Sequence, residues 1–389
     1  MFRQNPKNPE FSIVMPCLNE EKTIGKCINK TKFFFEKHKI GYEIVIADNG
    51  STDKSVQIAE RGGVKIIHVK ERGYGSALQQ GIKSARGKYI IMGDADNSYD
   101  FSDLSSFVVK LRQGYDFVIG NRFSGQIMPG AMPWQNKLIG NPALSYLGRL
   151  FFKSNIGDFY CGLRSFSKKI WENMDMQSTG MEYAAEMVIK ATVLHIKISE
   201  VPITYYKDGR SGPSNLKRWR DGWRGLRFLL LFSPRWLFML PGLTLLIVGG
   251  LLFLLVIVKP VNIFGVVLDL HTLLISTMLI TLGFQIILFS FFTETLIINN
   301  KLLPTKVKPS LLIDKFSLEH CLVAGLLIII IGLIIFLRMV QFWYQQGFGP
   351  LNYVVTMRHI IPSVFLIQLG VQIIFNSFYL SMLVPKKIY

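Results

Sequence analysis

Two carboxylates one residue apart, Asp94-Ala95-Asp96, follow the apolar run Lys88–Met92. At the end of a strand such a pair can hold a hard divalent cation, Mg2+ or Mn2+, and through it a diphosphate. The cation would neutralise charge growing on a departing nucleoside diphosphate. Asn97 and Asp100 add oxygen close by, although a lone Asp-X-Asp is equally a solvated acidic turn. Three further clusters carry weaker signals. Asp48-Asn49-Gly50-Ser51-Thr52-Asp53 offers a carboxylate to a base edge, or is only a turn into a helix with Ser51 as its N-cap. Pro16-Cys17-Leu18-Asn19-Glu20-Glu21 is a nucleoside-binding turn or an ordinary helix start. Arg72-Gly73-Tyr74-Gly75-Ser76-Ala77 is a glycine-rich turn suited to close approach by a phosphate or sugar.

These clusters need a scaffold, and the flanking sequence supplies one. Strands are expected over 11–16, 42–47, 64–69 and 88–92, with helices over 23–38 and 76–85. Strands alternating with helices imply a doubly wound α/β domain, in which ligands sit beyond the carboxyl ends of the strands. Asn19-Glu20, Asp48-Asn49 and Asp94-Ala95-Asp96 all fall at such ends, which favours an enzyme over a membrane adaptor.

In their order and spacing these motifs resemble family 2 glycosyltransferases of the GT-A fold, a Rossmann-like α/β nucleotide-diphospho-sugar transferase domain. Gly120-Asn121-Arg122-Phe123, the stretch from Asp158-Phe159-Tyr160-Cys161 through Gly162-Leu163-Arg164-Ser165-Phe166, and Glu200-Val201-Pro202-Ile203 are similar to dolichol- and polyprenyl-phosphate hexosyltransferases. The resemblance covers about residues 11–235. It implies a nucleotide-sugar donor, UDP- or GDP-linked, and a polyprenyl phosphate acceptor. It places Pro16, Asn19, Glu20, Asp48, Asn49, Gly75, Asp94, Ala95 and Asp96 at the donor, with Asp94 and Asp96 on the metal. Arg122, Arg164, Arg210 and Lys217 would hold the acceptor phosphate. Asp158, with Asp96 in the catalytic centre, would lie beside the anomeric carbon, as a base or as an orienting group. Glu182 and Glu186 are one helical turn apart and could share a site, or a solvated face.

The rest of the chain is apolar. Uncharged stretches of 23, 24, 18 and 27 residues begin at Trp236, Leu270, His320 and His359. A spanning helix needs about 20, so an all-α membrane domain of four helices is expected over 236–389, with spans near 236–258, 270–293, 319–340 and 359–384. Residues 339–357, rich in Gln and Gly, read as a loop. The catalytic domain is expected over 1–210, and 211–235 as a loop and juxtamembrane helix. In that helix Lys217, Arg220, Arg224 and Arg227 alternate with Leu216, Trp219, Trp223, Leu226 and Leu230, as in helices that lie at membrane interfaces.

Residues 1–235 hold 35 Lys+Arg and 22 Asp+Glu, a net of +13. With Lys301, Lys306, Lys308, Lys315, Lys386 and Lys387 on the same side, the positive-inside rule puts both termini and the catalytic domain in the cytoplasm, in a cell (inner) membrane. This placement favours anionic lipid and phosphorylated substrates over nucleic acid. No apolar segment opens the chain, so no cleavable signal is expected. Cys17, Cys27, Cys161 and Cys321 are irregularly spaced, which suggests reduced thiols and argues against a zinc site. A homo-oligomer is compatible with the sequence.

Residues 280–292 align with 367–379 at an offset of 87 with eight of 13 positions identical, including Gly283/Gly370, Gln285/Gln372 and Ser290/Ser377. Spans one and three share Gly242/Gly325 and Gly249/Gly332 at an offset of 83. Two parallel copies of one helical hairpin are expected, with both glutamines facing protein. Two rival readings stand. A processive polysaccharide synthase would carry Gln-X-X-Arg-Trp, but the chain has Asn215-Leu216-Lys217-Arg218-Trp219. A transporter or scaffold would ordinarily carry ionisable groups within its spans, and only His271, His320 and His359 occur, near the ends.

Overall fold

In β1 (Phe11–Cys17) and β2 (Tyr42–Asp48) almost every residue is apolar and buried, the mark of central strands covered on both faces. A computed structural model describes residues 8–209, 218–300 and 317–383. Arg210, Lys217 and the basic residues 301–315 and 386–387 lie outside the described residues. The chain divides into a first unit ending at Leu229 and a second beginning at Leu230.

The first unit is a seven-stranded sheet in the order β3-β2-β1-β4-β6-β5-β7, with β3 Lys65–His68, β4 Tyr89–Met92, β5 Phe117–Ile127, β6 Arg164–Ser167 and β7 Ile198–Tyr205. Its first four strands are parallel, β1 pairing β2 from Phe11↔Tyr42 to Cys17↔Asp48. This register brings the ends of β1 and β2 level. β6 runs antiparallel between β4 and β5, and β7 is again parallel to β5. Seven helices accompany the sheet: α1 Ile24–Lys37, α2 Ser55–Arg61, α3 Tyr74–Ser84, α4 Ser105–Arg112, α5 Asn141–Phe152, α6 Lys168–Met174 and α7 Tyr183–Val193. One core joins the strands to α1, α3, α4 and α7 through Phe11, Phe34, Phe35, Leu78, Phe107, Phe117, Phe166 and Met187. The expected elements in 11–92 are all present within two residues of their ends.

α8 runs Arg218–Leu231. Gly225 and Leu229 are buried, while Arg224, Arg227 and Trp223 are exposed. A Cβ on Gly225 would lie 2.9 Å from the Tyr160 hydroxyl and 3.5 Å from Leu144. The helix therefore rests one edge on its own domain and leaves its indole and cations outward.

Among the described residues the second unit holds four helices long and apolar enough to cross a membrane: Arg235–Val256, Leu270–Asn299, Leu318–Gln345 and Tyr353–Leu383. Within the first, α9 runs Leu240–Val256; the others are α10, α11 and α12. A small hairpin, β8 Val261–Ile263 and β9 Val266–Leu268, joins α9 to α10 through Phe264 and Gly265. Both have positive φ (50° and 84°), as a two-residue hairpin turn matching strand twist requires. The expected loop over 339–357 is corrected here. α11 continues to Gln345 and α12 begins at Tyr353, so only 346–352 is irregular. Glutamines are good helix formers, and only Gly347, Gly349 and Pro350 interrupt.

Within each hairpin the two helices meet through equivalent residues. A Cβ on Gly242 would touch Ile287 at 2.8 Å and the Gly283 carbonyl at 3.0 Å; one on Gly325 would touch Ile374 at 2.7 Å and the Gly370 carbonyl at 2.9 Å. Gly249 faces the Ser276 carbonyl at 2.9 Å, and Gly332 the Ser363 carbonyl at 2.8 Å. Each of these pairs is related by the offsets 83 and 87. Small residues let helix backbones approach where packing, not hydrophobic burial, drives association. Between the hairpins, the equivalent rings of Phe292 and Tyr379 stack edge to face at 4.8 Å. Asn376 Nδ2 donates to Gln285 Oε1 at 3.4 Å, and Gln372 Oε1 is shut off from solvent.

Candidate active site

The carboxyl ends of β1, β2 and β4 carry the first group of polar side chains. Asp48 closes β2 at 4% exposure, and its carboxylate accepts from Ser51 N at 3.1 Å and Gly50 N at 3.4 Å. His68, which closes β3, adds Nδ1 at 3.2 Å. Asn19 has a left-handed backbone (φ 59°), and its Oδ1 accepts from Thr52 N at 2.8 Å, tying the turns after β1 and β2 together. Glu20 is buried, with Thr23 Oγ1 donating to its Oε2 at 3.0 Å. Pro16 stands opposite Ala47 in the strand register. Burial raises the Cys17 thiol to about 11, so it is an inert neighbour of this group.

Asn49 is a strut. Its Nδ2 donates to Val69 O at 3.3 Å and Glu71 O at 2.8 Å, and its Oδ1 accepts from Gly73 N at 2.7 Å. It anchors the turn that leads into α3, and both its polar atoms are engaged within the chain.

The reading of Gly75 at a sugar or phosphate is corrected. A Cβ on Gly75 would sit 2.3 Å from the Ser178 carbonyl, and one on Gly73 2.2 Å from the Thr179 carbonyl. The close approach that these glycines permit is therefore to the chain's own 178–180 backbone. Glu186 holds that segment, accepting from Gln177 N at 2.8 Å and Ser178 N at 2.7 Å, while its charge pairs with Lys190 Nζ at 2.6 Å. Both ions are at most 1% exposed. Glu186 is thus an internal brace, and Glu182 points elsewhere, with Oε2 buried against Gly180.

Asp94 and Asp96 follow β4. Asp96 is 7% exposed; Ser98 N and Oγ donate to its Oδ1 at 3.0 and 2.5 Å. Gly209 N donates to the Asp96 carbonyl at 2.9 Å, closing the 206–209 segment over the motif. Ala95 is buried, its carbonyl accepting from Cys27 Sγ at 3.4 Å, so it serves through its backbone. Asp94 lies against Gly162, where a Cβ would come within 2.9 Å of Oδ2. Burial first, and then the Asp94 carboxylate, push the Tyr74 phenol well above its ordinary value, leaving it a firm donor toward Asp94. Sequence reasoning missed Tyr74, which hid inside the glycine-rich turn.

Asp94 and Asp96 give the end of β4 two carboxylates, and no group of three or more His, Cys, Asp or Glu placed to hold a metal occurs among the described residues. That donor set fits Mg2+ or Mn2+, which bind through one or two carboxylates together with substrate phosphate oxygens and water. It does not fit a closed structural metal site.

Asp158 and Arg122 form one unit. Arg122 Nε donates to Oδ2 at 2.7 Å and Nη2 to Oδ1 at 2.9 Å, with Arg122 N at 3.3 Å and Tyr160 N at 3.2 Å completing the carboxylate's shell. Asp158 is 0% and Arg122 6% exposed. Burial opposes the guanidinium's charge, but Asp158 overrides it and holds Arg122 well above its usual range. All acceptor capacity of Asp158 is spent, which suits an orienting anchor and not a free base. Glu200 supports the pair, its Oε1 accepting from Gly157 N at 2.8 Å, Asp158 N at 3.2 Å and Asn121 Nδ2 at 3.2 Å.

The expectation that Arg164 meets the acceptor phosphate is also corrected. Arg164 is fully buried, and its guanidinium donates to the carbonyls of Cys161 at 2.7 Å, Ala184 at 2.5 Å and Phe159 at 2.7 Å. It stitches the 159–164 loop to α7. Elsewhere on this unit Trp134, Leu138, Ile139, Tyr146 and Leu150 are exposed along a π-helical turn (Asn136–Gly140) and α5. The sequence reading passed over this apolar strip because Gly, Pro and Asn interrupt it.

Two family models match the chain: glycosyl transferase family 2 over residues 12–174, and the family 2 C-terminal transmembrane region over 293–384. The low-salt glycan biosynthesis hexosyltransferase Agl6 of Haloferax volcanii is 36% identical over 378 residues, covering 96% of this chain and 89% of that protein. A dolichyl-phosphate hexose transferase of the same organism is 27% identical over 55% of this chain and 89% of its own length. Among solved structures, glucosyl-3-phosphoglycerate synthase from Mycobacterium tuberculosis is similar with a TM-score of 0.46 and 19% identity, over 58% of this chain and 80% of that one. With a relative this similar along nearly its whole length, and with both units matched, the chain belongs to glycosyl transferase family 2, a glycosyltransferase with a GT-A domain and a membrane region.

Proposed function

We propose that this glycosyltransferase moves a single sugar from a nucleotide-sugar to a polyprenyl phosphate at the cytoplasmic membrane face, with Mg2+ or Mn2+ at Asp94 and Asp96. The observation that carries the reading is the placement of Asp48, Asp94 and Asp96 at the carboxyl ends of β2 and β4, the parallel strands that flank β1. Asp48 addresses the nucleoside, with Asn19 and Glu20 shaping its turn. Asp94 and Asp96 hold the cation, which supplies charge neutralisation to the leaving diphosphate.

A phosphomonoester has a second pKa near ~6, so the acceptor is already an anion at neutral pH. It needs no committed base, which agrees with the saturated carboxylate of Asp158. Position and leaving-group stabilisation then suffice, in one in-line displacement that inverts the anomeric carbon. Arg210 and Lys217 are assigned to the acceptor phosphate, while Arg122, expected there as well, has its Nε and Nη2 committed to Asp158 and is assigned to keeping that carboxylate in place. The lipid acceptor is supported by the exposed apolar strip on α5, by Trp223 with the cations of α8, and by the four apolar helices. Excess positive charge beside the spans supports a cytoplasmic catalytic unit.

The test is mass analysis of products from purified protein, polyprenyl phosphate and a panel of nucleotide-sugars. One sugar per lipid phosphate is expected. A polymer would favour a processive synthase, and no turnover of any donor would favour a non-enzymatic membrane role.

A further inference from the structure

An ionised carboxylate has about four lone-pair sites. On Asp48 three are in use: Ser51 N on Oδ1, and Gly50 N and His68 Nδ1 on Oδ2. Since a carboxylate only accepts, Nδ1 must carry the imidazole proton in this contact. The neighbouring acceptors each hold one donor already. Asn49 Oδ1 is taken by Gly73 N, the Asp48 carbonyl by Val69 N and the Cys17 carbonyl by Asn49 N. The Asp48 carboxylate itself therefore offers a base edge one free acceptor site.

We propose that this single site selects a uracil-type base, uridine or thymidine, over guanine, and that His68 is the residue that sets the selection. The inference rests on the reading that Asp48 faces the donor's base. Uracil and thymine present one N–H, at N3, between two carbonyls, and one acceptor satisfies it. Guanine presents N1–H and an N2 amino group side by side, a pair that asks a carboxylate for both oxygens. With His68 on Oδ2 one of those donors goes unpaired. Cytosine and adenine present a bare ring nitrogen beside the amino group, which would face the carboxylate lone pairs in repulsion. His68 ends an edge strand with its side chain 69% exposed, so it can be replaced without opening the core.

Calorimetric titration of the full-length protein in detergent with Mg2+ and UDP, dTDP, GDP or CDP tests this. UDP or dTDP should bind on the order of ten-fold tighter than GDP, the effect of one unpaired buried donor. The UDP and dTDP arms separate the two matching bases. His68→Ala frees Oδ2 and should narrow the gap to GDP to within about three-fold, with an unchanged circular dichroism spectrum. GDP binding as tightly as both UDP and dTDP, or a ratio unmoved in His68→Ala, overturns the proposal and leaves sugar transfer standing. Selective binding of UDP or dTDP without transfer upholds the base assignment and rejects the lipid-acceptor reading. No binding by any of the four overturns the base assignment.

Discussion

Asp158→Asn separates the two roles that a carboxylate at this position can have. The substitution keeps the shape but leaves the Arg122 guanidinium, 6% exposed, without its counter-charge. Breaking a buried pair by removing one partner costs about 3–5 kcal/mol, because the remaining charge is uncompensated. For a unit of 150–250 residues each kcal/mol moves the melting temperature by roughly 2–4 °C, so a fall of about 6–20 °C is expected. Differential scanning calorimetry of the full-length protein in detergent would read it in the transition of the catalytic unit. Adding Arg122→Met to Asp158→Asn removes the stranded charge and should recover part of the loss, a coupling that two independent sites would not show. If Asp158→Asn melts within about 2 °C of wild type yet abolishes transfer, the anchor argument fails and Asp158 belongs to the chemistry.

Asp94→Ala or Asp96→Ala should lower transfer at least ~100-fold, as when a stabiliser of transition-state charge is lost; full wild-type activity in excess chelator would reject the metal assignment. Arg210→Ala should raise the apparent KM for the lipid phosphate more than that for the nucleotide-sugar, by loss of a charge-assisted hydrogen bond, and steady-state kinetics in both substrates measures the split. Gly75→Ala drives a Cβ to 2.3 Å from the Ser178 carbonyl, a backbone atom, and should cost about 1–3 kcal/mol in denaturant unfolding. Burial raises Cys17 to about 11 and Cys27 to about 12 from 9.0, so the folded state favours the protonated thiols; their contribution to stability is complete below pH 9 and is lost as pH rises toward 11–12. Native protein at pH 8 should accordingly leave both unlabelled by iodoacetamide, as mass spectrometry would show.

Local pattern made the sheet legible. The apolar runs of β1, β2 and β4 each end in a polar motif, and that placement needs only the period of a strand and the rule for open α/β sheets. The hairpin repeat was legible for the same reason, since Gly, Gln and Ser recur in register along α10 and α12. What the sequence left open was which neighbour each side chain meets. Gly75 reads alike whether a phosphate or the 178–180 backbone approaches it, for both need only a missing Cβ. Arg164 lies 42 residues after Arg122 in similar polar company, and only its enclosure by three carbonyls tells the two apart. β6 escaped notice because Arg-Ser-Phe-Ser is too short and too polar to announce a strand, though it fills a central gap between β4 and β5.

The edge-to-face contact of Phe292 with Tyr379 joins positions that are copies of each other. A face that meets its own duplicate is self-complementary, so a lone hairpin of this kind could pair with a second molecule of itself through the same rings. The four-helix unit is then a tethered dimer. Severing the covalent link between α10 and α11 and producing the two halves together should still yield the assembled bundle. Asn376 in place of Phe289 and Tyr379 in place of Phe292 are where the two halves differ along this face.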